Sequence, residues 1–502
     1  MQFGVSESTR HWGKYRPGSL AVYHNDRVIT FRELDELVNI VSNKIENQGI
    51  SDKRVGIAVR SKLHLLISII GVLRANKSAV ILNTGLPTDA LGININDTKI
   101  SALIFDQAQR RLAGLRRLRK RKLLDIEDAI LEADSDAKRH HVGALRQPSD
   151  EWGIIFSSGT TGVPKGIERD QSSIITELLG WSIELQLNRD TIFYVGRPIH
   201  YAGGLVLSLA SLLVGGAICI SDLKNDDDPE EAWKDYQNVL RSHTLAWAFF
   251  VPDQIRSFVK IAEKTKTPPA GAQTILVMGA PISGEEKIKA AQILGSQIVE
   301  SWGNSESLGT ITEPNDLTTR PNSIGRPFLT DELCILNDGV SLAEPGEVGR
   351  IAGSDVAGFF RYSSRPQETD RVRRNGMIVS DDIGYMDKEG YFYICGRDQD
   401  CVLINGKTVF LSDVEKTLRT HAQISDCCVV AKPVKEGMLS LAGVIVCNPG
   451  ATANEMVLLD ELNRCLLPPV QLSQIILVNE IPRLPSGKQD KIKISNLVDT
   501  GP

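Results

Sequence analysis

Short apolar runs alternate with longer segments of helical periodicity through roughly the first 400 residues of the chain. Residues 54–59 are predicted to form a buried strand, residues 63–75 a helix, and residues 78–82 the next strand. Such an alternation is typical of α/β layers. We therefore predict an α/β fold whose large N-terminal part consists of layered α/β subdomains.

The pattern changes after residue 397. A short strand, a turn at Asn405-Gly406 and a helix from about Ser412 precede strand-like runs at 427–431 and 441–447. These elements predict a small α+β unit of about one hundred residues, which is an ordinary domain size. We place the two domains at residues 1–397 and 398–502.

One apolar stretch, residues 203–220, contains no charged residue and approaches the length of a membrane span. Gly215 and Gly216 divide it into a helix-like part and the short β-like run 217–220. A buried helix followed by a buried strand is therefore the better interpretation. We predict no membrane span.

Composition and charge point to an ordinary soluble enzyme. Of 502 residues, 42% are hydrophobic and 24% are charged, and the net charge of −5 gives no electrostatic bias toward nucleic acid. None of the eight cysteines forms a C-x-x-C pair, so neither a zinc site nor a disulfide framework is indicated. We predict reduced thiols and a cytoplasmic location.

A loop rich in hydroxyl groups and glycine follows the apolar run 154–156. It consists of Ser157, Ser158, Gly159, Thr160, Thr161, Gly162, Val163, Pro164, Lys165 and Gly166. Hydroxyls, backbone N–H groups and one ammonium suit a polyphosphate, and glycines let the backbone approach it closely. The spacing differs from G-x-x-x-x-G-K-[ST], so we predict phosphate chemistry other than that of the P-loop nucleoside triphosphatases.

This loop resembles the signature of the adenylate-forming superfamily, which includes acyl- and aryl-CoA synthetases. The resemblance extends from Thr30 to Lys488 and implies that family's fold, with a small mobile C-terminal domain. It also implies ATP and Mg²⁺ as ligands. The residues given to ATP or AMP on this basis are Ser157, Ser158, Gly159, Thr160, Thr161, Gly162, Lys165, Gly279, Ala280, Pro281, Ser301, Trp302, Gly303, Asn304, Ser305, Asp382, Arg397 and Lys488.

The hexapeptide 301–306 resembles the family's aromatic-Gly-x-Thr-Glu motif, with Trp302 and Ser305 in place of the usual Tyr and Thr. Trp302 offers a ring face to adenine. The Ser305 hydroxyl is suited to donate to the α-phosphate, and Glu306 is the predicted Mg²⁺ ligand.

Downstream motifs complete the resemblance. Asp382 takes the place of the carboxylate that accepts from both ribose hydroxyls. Its neighbour Asp381 replaces the usual Gly and adds a negative charge near the nucleotide. Arg397 matches the residue that steadies the ribose, Gln399 falls at the hinge, and Lys488 matches the lysine that reaches the α-phosphate and the attacking carboxylate.

Together these motifs imply a carboxylate activator. The resemblance implies that the acid attacks the α-phosphorus of ATP to form an acyl-adenylate, with release of pyrophosphate, and that a thiol then takes the acyl group and releases AMP. The resemblance implies that the small domain rotates about Gln399 between the two half-reactions. The predicted catalytic residues are Lys488, Glu306, Ser305 and His200.

The acid is predicted from the segment around His200, which resembles the family's gate beside the acyl pocket. Residues 201–214 contain no carboxylate, and burying an unpaired ammonium there would cost several kcal/mol, which disfavours an α-amino acid. The large Met278 and Trp247 favour a short or aromatic acid. The predicted acyl pocket consists of His200, Tyr201, Trp247, Met278, Gly303, Gly309 and Thr310.

Two alternatives remain open at this point. Coenzyme A is the expected thiol, with Gly406 beside its pantetheine arm, but a carrier-protein phosphopantetheine is the runner-up. A non-catalytic protein that binds an adenylate or an acid, inactivated by Asp381, is the alternative from another class.

Overall fold

The protein is described by a computed structural model. Its described residues are 4–50, 53–113, 121–133, 146–157, 164–226, 228–266, 270–306, 308–337, 340–354, 361–404, 407–433, 439–448, 450, 454–483 and 489–500. They form two units. The first contains the described residues of 1–159, 163–333 and 353–378, and the second those of 334–352 and 379–502. The boundary that we place at residues 397–398 stays a prediction.

The α-helices of the described residues are α1 Val5–Tyr15, α2 Phe31–Asn47, α3 Lys62–Arg74, α4 Thr88–Asp97, α5 Arg110–Ala113, α6 Ile126–Leu131, α7 Gln171–Glu184, α8 Ala202–Leu213, α9 Pro229–Ser242, α10 Pro252–Thr265, α11 Gly284–Leu294, α12 Asp316–Thr319, α13 Pro366–Val372, α14 Leu411–Arg419, α15 Glu455–Cys465 and α16 Lys491–Thr500. Several begin at residues whose side chains cap the first turn. The Asp228 carboxylate, for example, accepts from the first backbone N–H groups of α9, and Pro229 follows it.

The strands of the described residues are β1 Leu20–His24, β2 Arg27–Thr30, β3 Arg54–Ala58, β4 Ser78–Ile81, β5 Ala102–Phe105, β6 Lys122–Asp125, β7 Glu151–Phe156, β8 Gly166–Asp170, β9 Ile192–Val195, β10 Ala217–Ile220, β11 Trp247–Phe250, β12 Thr274–Met278, β13 Gln297–Gly303, β14 Gly309–Ile311, β15 Arg326–Pro327, β16 Leu333–Asn337, β17 Ser341–Leu342, β18 Gly349–Ser354, β19 Arg361–Tyr362, β20 Arg373–Arg374, β21 Met377–Met386, β22 Phe392–Arg397, β23 Cys401–Ile404, β24 Lys407–Phe410, β25 Ile424–Pro433, β26 Leu439–Cys447 and β27 Leu472–Leu477.

Two sheets form the framework of the first unit. One has the strand order β15-β14-β13-β12-β11-β9-β10-β1-β2, and the other has the order β19-β8-β7-β4-β3-β5-β6. One hydrophobic core joins residues of both sheets with α2, α3, α7 and α8. The predicted layered α/β class is confirmed.

The uncharged stretch 203–220 forms helix α8 and strand β10, as predicted. Gly215 separates the two with a backbone φ of +85°, a conformation that favours glycine. Both elements are buried in the first unit. Among the described residues, no helix combines the length and the apolarity needed to cross a bilayer.

The antiparallel strand pairs of the second unit include β16 with β17, β21 with β22 and β23 with β24. Towards the C-terminus, β25 pairs with β26 antiparallel and β26 with β27 parallel. Leucines and valines of α14 and α15 pack in one core with these strands. The predicted α+β character of this region is confirmed, including the helix from about Ser412 and the strands near 427–431 and 441–447.

Gly153 marks a close approach of two strands in the second sheet of the first unit. It pairs with Ala79 across β7 and β4, and an added Cβ would stand 2.1 Å from the Ala79 carbonyl oxygen. Because that oxygen belongs to the backbone of a buried strand, we expect Gly153→Ala to destabilise the protein by about 3 kcal/mol. Thermal unfolding checks this, with Gly18→Ala as the control, because an added Cβ there has nothing within 4 Å. An equal unfolding midpoint for both variants would contradict the expectation.

Candidate active site

Strands β7 and β8 precede and follow the hydroxyl- and glycine-rich loop in the chain. They pair antiparallel as a hairpin, as far as Phe156 and Gly166. The Ser157 N–H donates to the Lys165 carbonyl at 2.9 Å, and the Lys165 N–H donates to Ser157 Oγ at 3.1 Å. These two bonds fix the ends of the loop. Its predicted phosphate-binding members Ser158, Gly159, Thr160, Thr161 and Gly162 lie outside the described residues.

Lys165 is held between an anion and an aromatic ring. Its Nζ lies 2.9 Å from Glu368 Oε2 of α13 and 4.8 Å from the centroid of the Tyr362 ring. Burial alone would raise the pKa of Glu368, but the hydrogen bond and charge of Lys165, assisted by Arg365, lower it below its ordinary value. The lysine is therefore oriented by an ionised partner.

Glu306 lies in the turn of a second hairpin, formed by β13 and β14. The turn is closed by the Asn304 N–H, which donates to the Leu308 carbonyl at 3.1 Å, and by the Leu308 N–H, which donates to Asn304 Oδ1 at 2.9 Å. Glu306 Oε1 accepts a hydrogen bond from the Tyr362 hydroxyl. Tyr362 therefore contacts both Glu306 and Lys165, which come from different motifs of the sequence.

Trp302 precedes this turn on β13. It is half-buried and packs against the cluster formed by Ile167, Leu308, Tyr362 and Ile378. Its neighbour Ser301 donates from Oγ to the Thr310 carbonyl at 2.8 Å, whereas Gly303 is exposed and Ser305 is half-buried. The indole is thus packed in the same cluster as the Tyr362 ring.

Parallel strands bring further predicted residues to one edge of the first sheet. β9, β11, β12 and β13 pair parallel, so their carboxyl ends meet at the same edge. Gly279, Ala280 and Pro281 follow β12 there, and Gly279 has a φ of +104°. The turn that carries Ser305 and Glu306 follows β13. Ligands of open α/β sheets bind at this edge.

His200 and Tyr201 also lie at this edge, between β9 and α8. Their rings contact each other with centroids 4.3 Å apart, and the Tyr201 hydroxyl accepts from Asn83 Nδ2 at 3.4 Å. His200 Nε2 is buried and has no hydrogen-bond partner among the described residues. Burial, with the cations Arg197 and Lys62 in support, lowers the pKa of His200 to about 3, so the imidazole is neutral at pH 7.

Met278 ends β12 and packs against the first turn of α8, where a Cβ added to Gly203 would stand 2.5 Å from its Cε. Trp247 begins β11, so it lies at the amino end of its strand, where it stacks on Phe193 with a centroid distance of 6.4 Å. The structure therefore brings Met278 close to the His200 segment and places Trp247 at the other end of the sheet. The role that we predict for Trp247 stays a prediction.

Gly309 and Thr310 belong to β14, behind the Glu306 turn. The Gly309 N–H donates to Asp331 Oδ2 at 2.9 Å, and Thr310 Oγ1 donates to the Ile324 carbonyl at 2.5 Å. Burial raises the pKa of Asp331 to about 7, although the Gly309 hydrogen bond lowers it. Both predicted pocket residues are therefore engaged in supporting β14.

In the second unit, Asp382 and Arg397 face each other across β21 and β22. Arg397 Nε donates to Asp382 Oδ1 at 3.1 Å, and Asp382 is 8% exposed. The adjacent Asp381 has a side chain that is 54% exposed and lies 3.8 Å from a guanidinium nitrogen of Arg350. The two predicted ribose-binding residues are thus in contact, and the extra carboxylate points to solvent beside a cation.

The remaining predicted residues have little structural description. Gln399 lies in the short 3₁₀ turn Asp398–Asp400, directly after β22. Gly406 and Lys488 lie outside the described residues, as does the predicted turn at Asn405-Gly406. The roles of these residues stay predictions.

The described residues offer no cluster of three or more His, Cys, Asp or Glu side chains that would hold a metal ion by itself. Glu306 fits Mg²⁺ in another way, because Mg²⁺ is usually bound by one or two carboxylates together with substrate phosphates. Tyr362 donates to Oε1 of the carboxylate, and a carboxylate has acceptor sites enough for a metal ion in addition.

Sequence reasoning missed Tyr362 and Glu368. Both come from residues 361–372, where β19 leads into α13, and no motif singles them out. Only the pairing of β19 with β8 places Tyr362 beside the strand that follows Lys165. A single sequence carries no signal for such a pairing.

The chain is similar to known proteins over most of its length. The sequence model of the AMP-binding enzyme family matches residues 9–357, and that of the AMP-binding enzyme C-terminal domain matches residues 413–488. A relative is the 2-succinylbenzoate--CoA ligase of Geobacillus kaustophilus, which is 24% identical over 502 residues, covering 97% of this chain and 98% of that protein.

Two solved structures share the fold. ATP-bound MatB from Rhodopseudomonas palustris has a TM-score of 0.89 at 20% identity and covers 99% of both chains. The O-succinylbenzoate coenzyme A synthetase MenE of Bacillus subtilis, in complex with ATP and a magnesium ion, has a TM-score of 0.86 at 19% identity. It covers 97% of this chain and 99% of the other.

The matches to both family models and to CoA ligases identify an acid–thiol ligase of the AMP-forming type. The chain belongs to the AMP-binding enzyme family. This confirms the predicted membership of the adenylate-forming superfamily, its fold and its reaction class.

Proposed function

We propose that this protein joins an aromatic carboxylic acid to the AMP part of ATP, with Mg²⁺ and release of pyrophosphate. It then transfers the acyl group to the thiol of coenzyme A, with release of AMP. One observation carries the proposal. Lys165 and Glu306, predicted from separate motifs to bind phosphate and metal, both contact Tyr362. An ammonium and a carboxylate that both contact one side chain are suited to bind a polyphosphate and its metal ion.

The first half-reaction needs charge neutralisation more than acid–base chemistry. The attacking carboxylate is ionised at neutral pH because its pKa is about 4. It must approach an anionic phosphate, so the protein has to position two anions and offset their repulsion. Lys165 and the loop N–H groups would bind the phosphates, and Lys488 would stabilise the charge on the α-phosphate in the transition state. Mg²⁺, held at Glu306, would supply further positive charge.

Nucleotide recognition is proposed for several of the residues predicted from the sequence. Trp302 and the backbone of Gly279, Ala280 and Pro281 would bind adenine, with Ser305 donating to the α-phosphate. Asp382 would accept from the ribose hydroxyls, and Arg397, which already donates to Asp382, would keep that carboxylate oriented. Since Asp381 points to solvent beside Arg350, its charge gives no ground for an inactive protein.

The acid class is argued from the His200 segment. A neutral imidazole, a tyrosine ring and the Met278 thioether would form a mostly apolar wall for an aryl group. Arg197 is buried nearby, so an ammonium group on the substrate would meet a like charge. The names of two relatives, 2-succinylbenzoate--CoA ligase and O-succinylbenzoate coenzyme A synthetase, support an aromatic acid.

Coenzyme A is the proposed acceptor because the curated relative is named as a CoA ligase. A phosphopantetheine on a carrier protein is the alternative. Free coenzyme A and a holo carrier protein, offered separately with the same acid and ATP, distinguish the two. Thioester formed only on the carrier would overturn the choice of coenzyme A.

A carboxylic-acid panel, measured by pyrophosphate release, tests the proposed substrate class. We expect aryl acids such as benzoate and 2-succinylbenzoate to exceed long-chain fatty acids by about 10-fold or more in kcat/KM. We expect α-amino acids to stay at background, because a buried unpaired ammonium is costly. Fast release with long-chain acids and negligible release with aryl acids would refute the aromatic class. No acid-dependent release at all would refute the proposed reaction.

A further inference from the structure

Tyr362 contacts the two groups on which the proposed chemistry depends. Its hydroxyl donates to Glu306 Oε1, and its ring lies 4.8 Å from Lys165 Nζ. One side chain thus touches both the predicted metal ligand and a predicted phosphate cation. No sequence motif gave it a role.

The backbone of Tyr362 is fixed by the hairpin that carries the phosphate-binding loop. Tyr362 pairs with Ile167 of β8, two residues after Lys165, and its N–H donates to Thr369 Oγ1 at 3.0 Å. The Ser363 N–H donates to the Gly166 carbonyl at 2.7 Å. With 4% of its surface exposed, Tyr362 has little freedom to move relative to β8.

The two contacts act through different parts of the side chain. The hydroxyl is a hydrogen-bond donor to the carboxylate, whereas the ring face attracts the ammonium through its quadrupole. A group that donates to a metal ligand fixes the direction of the remaining acceptor sites, and removing such a group typically costs 10- to 100-fold in metal affinity. Removing the hydroxyl alone would therefore disturb Glu306 and leave the cation–π contact of Lys165.

We propose that Tyr362 is a positioning residue that aligns Glu306 for Mg²⁺ and Lys165 for the ATP phosphates. The inference rests on the proposed function. Glu368 completes the arrangement by pairing with Lys165 from the side of α13. The preformed arrangement lowers the cost of ordering these side chains when MgATP binds.

Calorimetric measurement of ATP binding in excess Mg²⁺ and in EDTA tests the inference without turnover. We expect Tyr362→Phe to reduce the gain in ATP affinity that Mg²⁺ provides by about 10-fold, and to leave the affinity in EDTA within about twofold of wild type because the ring remains. Tyr362→Leu should weaken binding under both conditions. In pyrophosphate exchange, Tyr362→Phe should need more Mg²⁺ with an unchanged KM for the acid.

Tyr23→Phe is the matched control, since the Tyr23 hydroxyl also donates to a carboxylate, Asp26, at 2.8 Å. It should bind MgATP like the wild type. If Tyr362→Phe failed to fold, Glu306→Asp would replace it in the same binding measurement. The aspartate side chain is one methylene shorter, so its carboxylate is drawn away from the Tyr362 hydroxyl but remains a metal ligand.

Suppose that Mg²⁺ raises the ATP affinity of folded Tyr362→Phe, or of Glu306→Asp where that variant replaces it, as much as it raises that of the wild type. This result would overturn the inference and leave the proposed reaction standing. Wild-type protein that binds MgATP but shows no acid-dependent exchange would overturn the proposed reaction instead. Wild-type protein that does not bind ATP would overturn both.

Discussion

Lys488→Ala is expected to lower acid-dependent exchange of labelled pyrophosphate into ATP by about 10³-fold, since losing one group that stabilises developing charge costs this order. The lysine would offset negative charge on the α-phosphate and on the attacking carboxylate in the first half-reaction. Supplied with the preformed acyl-adenylate and coenzyme A, the variant should form thioester at nearly the wild-type rate, because that step no longer involves attack on phosphorus.

Lys493→Ala is the matched control for this prediction. Lys493 lies on α16 with its side chain 69% exposed, and its Nζ is 3.5 Å from Asp490. Its loss should leave both half-reactions unchanged. Full exchange activity in Lys488→Ala would remove this lysine from the mechanism, and an equal loss in both half-reactions would indicate damage to the small domain rather than loss of the charge.

Local patterns predicted the fold well where a single segment determines its own structure. The predicted elements at 54–59, 63–75 and 78–82 correspond to β3, α3 and β4. Gly215 ends α8 because it adopts a backbone conformation that other residues rarely take. Such signals depend on neighbours in the chain, so a single sequence contains them.

The candidate site was predictable only as far as its motifs are contiguous. The hairpin bonds of Ser157 and Lys165 connect residues of one short segment, and the sequence marked both. The bond between Tyr362 and Glu306 joins residues 56 positions apart, and it depends on β19 pairing with β8. Nothing in the local composition near Tyr362 indicates that pairing.

Trp247 illustrates a different limit. It is a predicted pocket residue whose size favours a short or aromatic acid, but the end of a strand that a residue occupies depends on where the strand begins. In the structure, Trp247 pairs with Phe193 and Thr274 at the amino ends of the parallel strands. Met278, on the same sheet, ends its strand and reaches the His200 segment. Strand register, rather than residue type, separates these two side chains.

Glu306→Gln is expected to lower the rate of acid-dependent pyrophosphate exchange by about 10²-fold or more. Removing other groups that stabilise charge in a transition state lowers rates by a comparable factor. The amide oxygen of glutamine still accepts a hydrogen bond, so the contact with the Tyr362 hydroxyl is retained and only the negative charge is lost. Mg²⁺ prefers ionised oxygen ligands, so the variant should require more Mg²⁺ for half-maximal exchange and regain part of its rate at high Mg²⁺.

Glu313→Gln serves as the matched control. Glu313 is exposed and lies just beyond β14. The substitution therefore removes an equal charge a few residues away from the turn that carries Glu306. Substitutions of exposed residues usually change stability by less than about 0.5 kcal/mol. Pyrophosphate exchange should therefore stay at the wild-type level. If Glu306→Gln matched this control in both rate and Mg²⁺ requirement, Glu306 would not be the metal ligand, and the Tyr362 contact would have to be explained by packing alone.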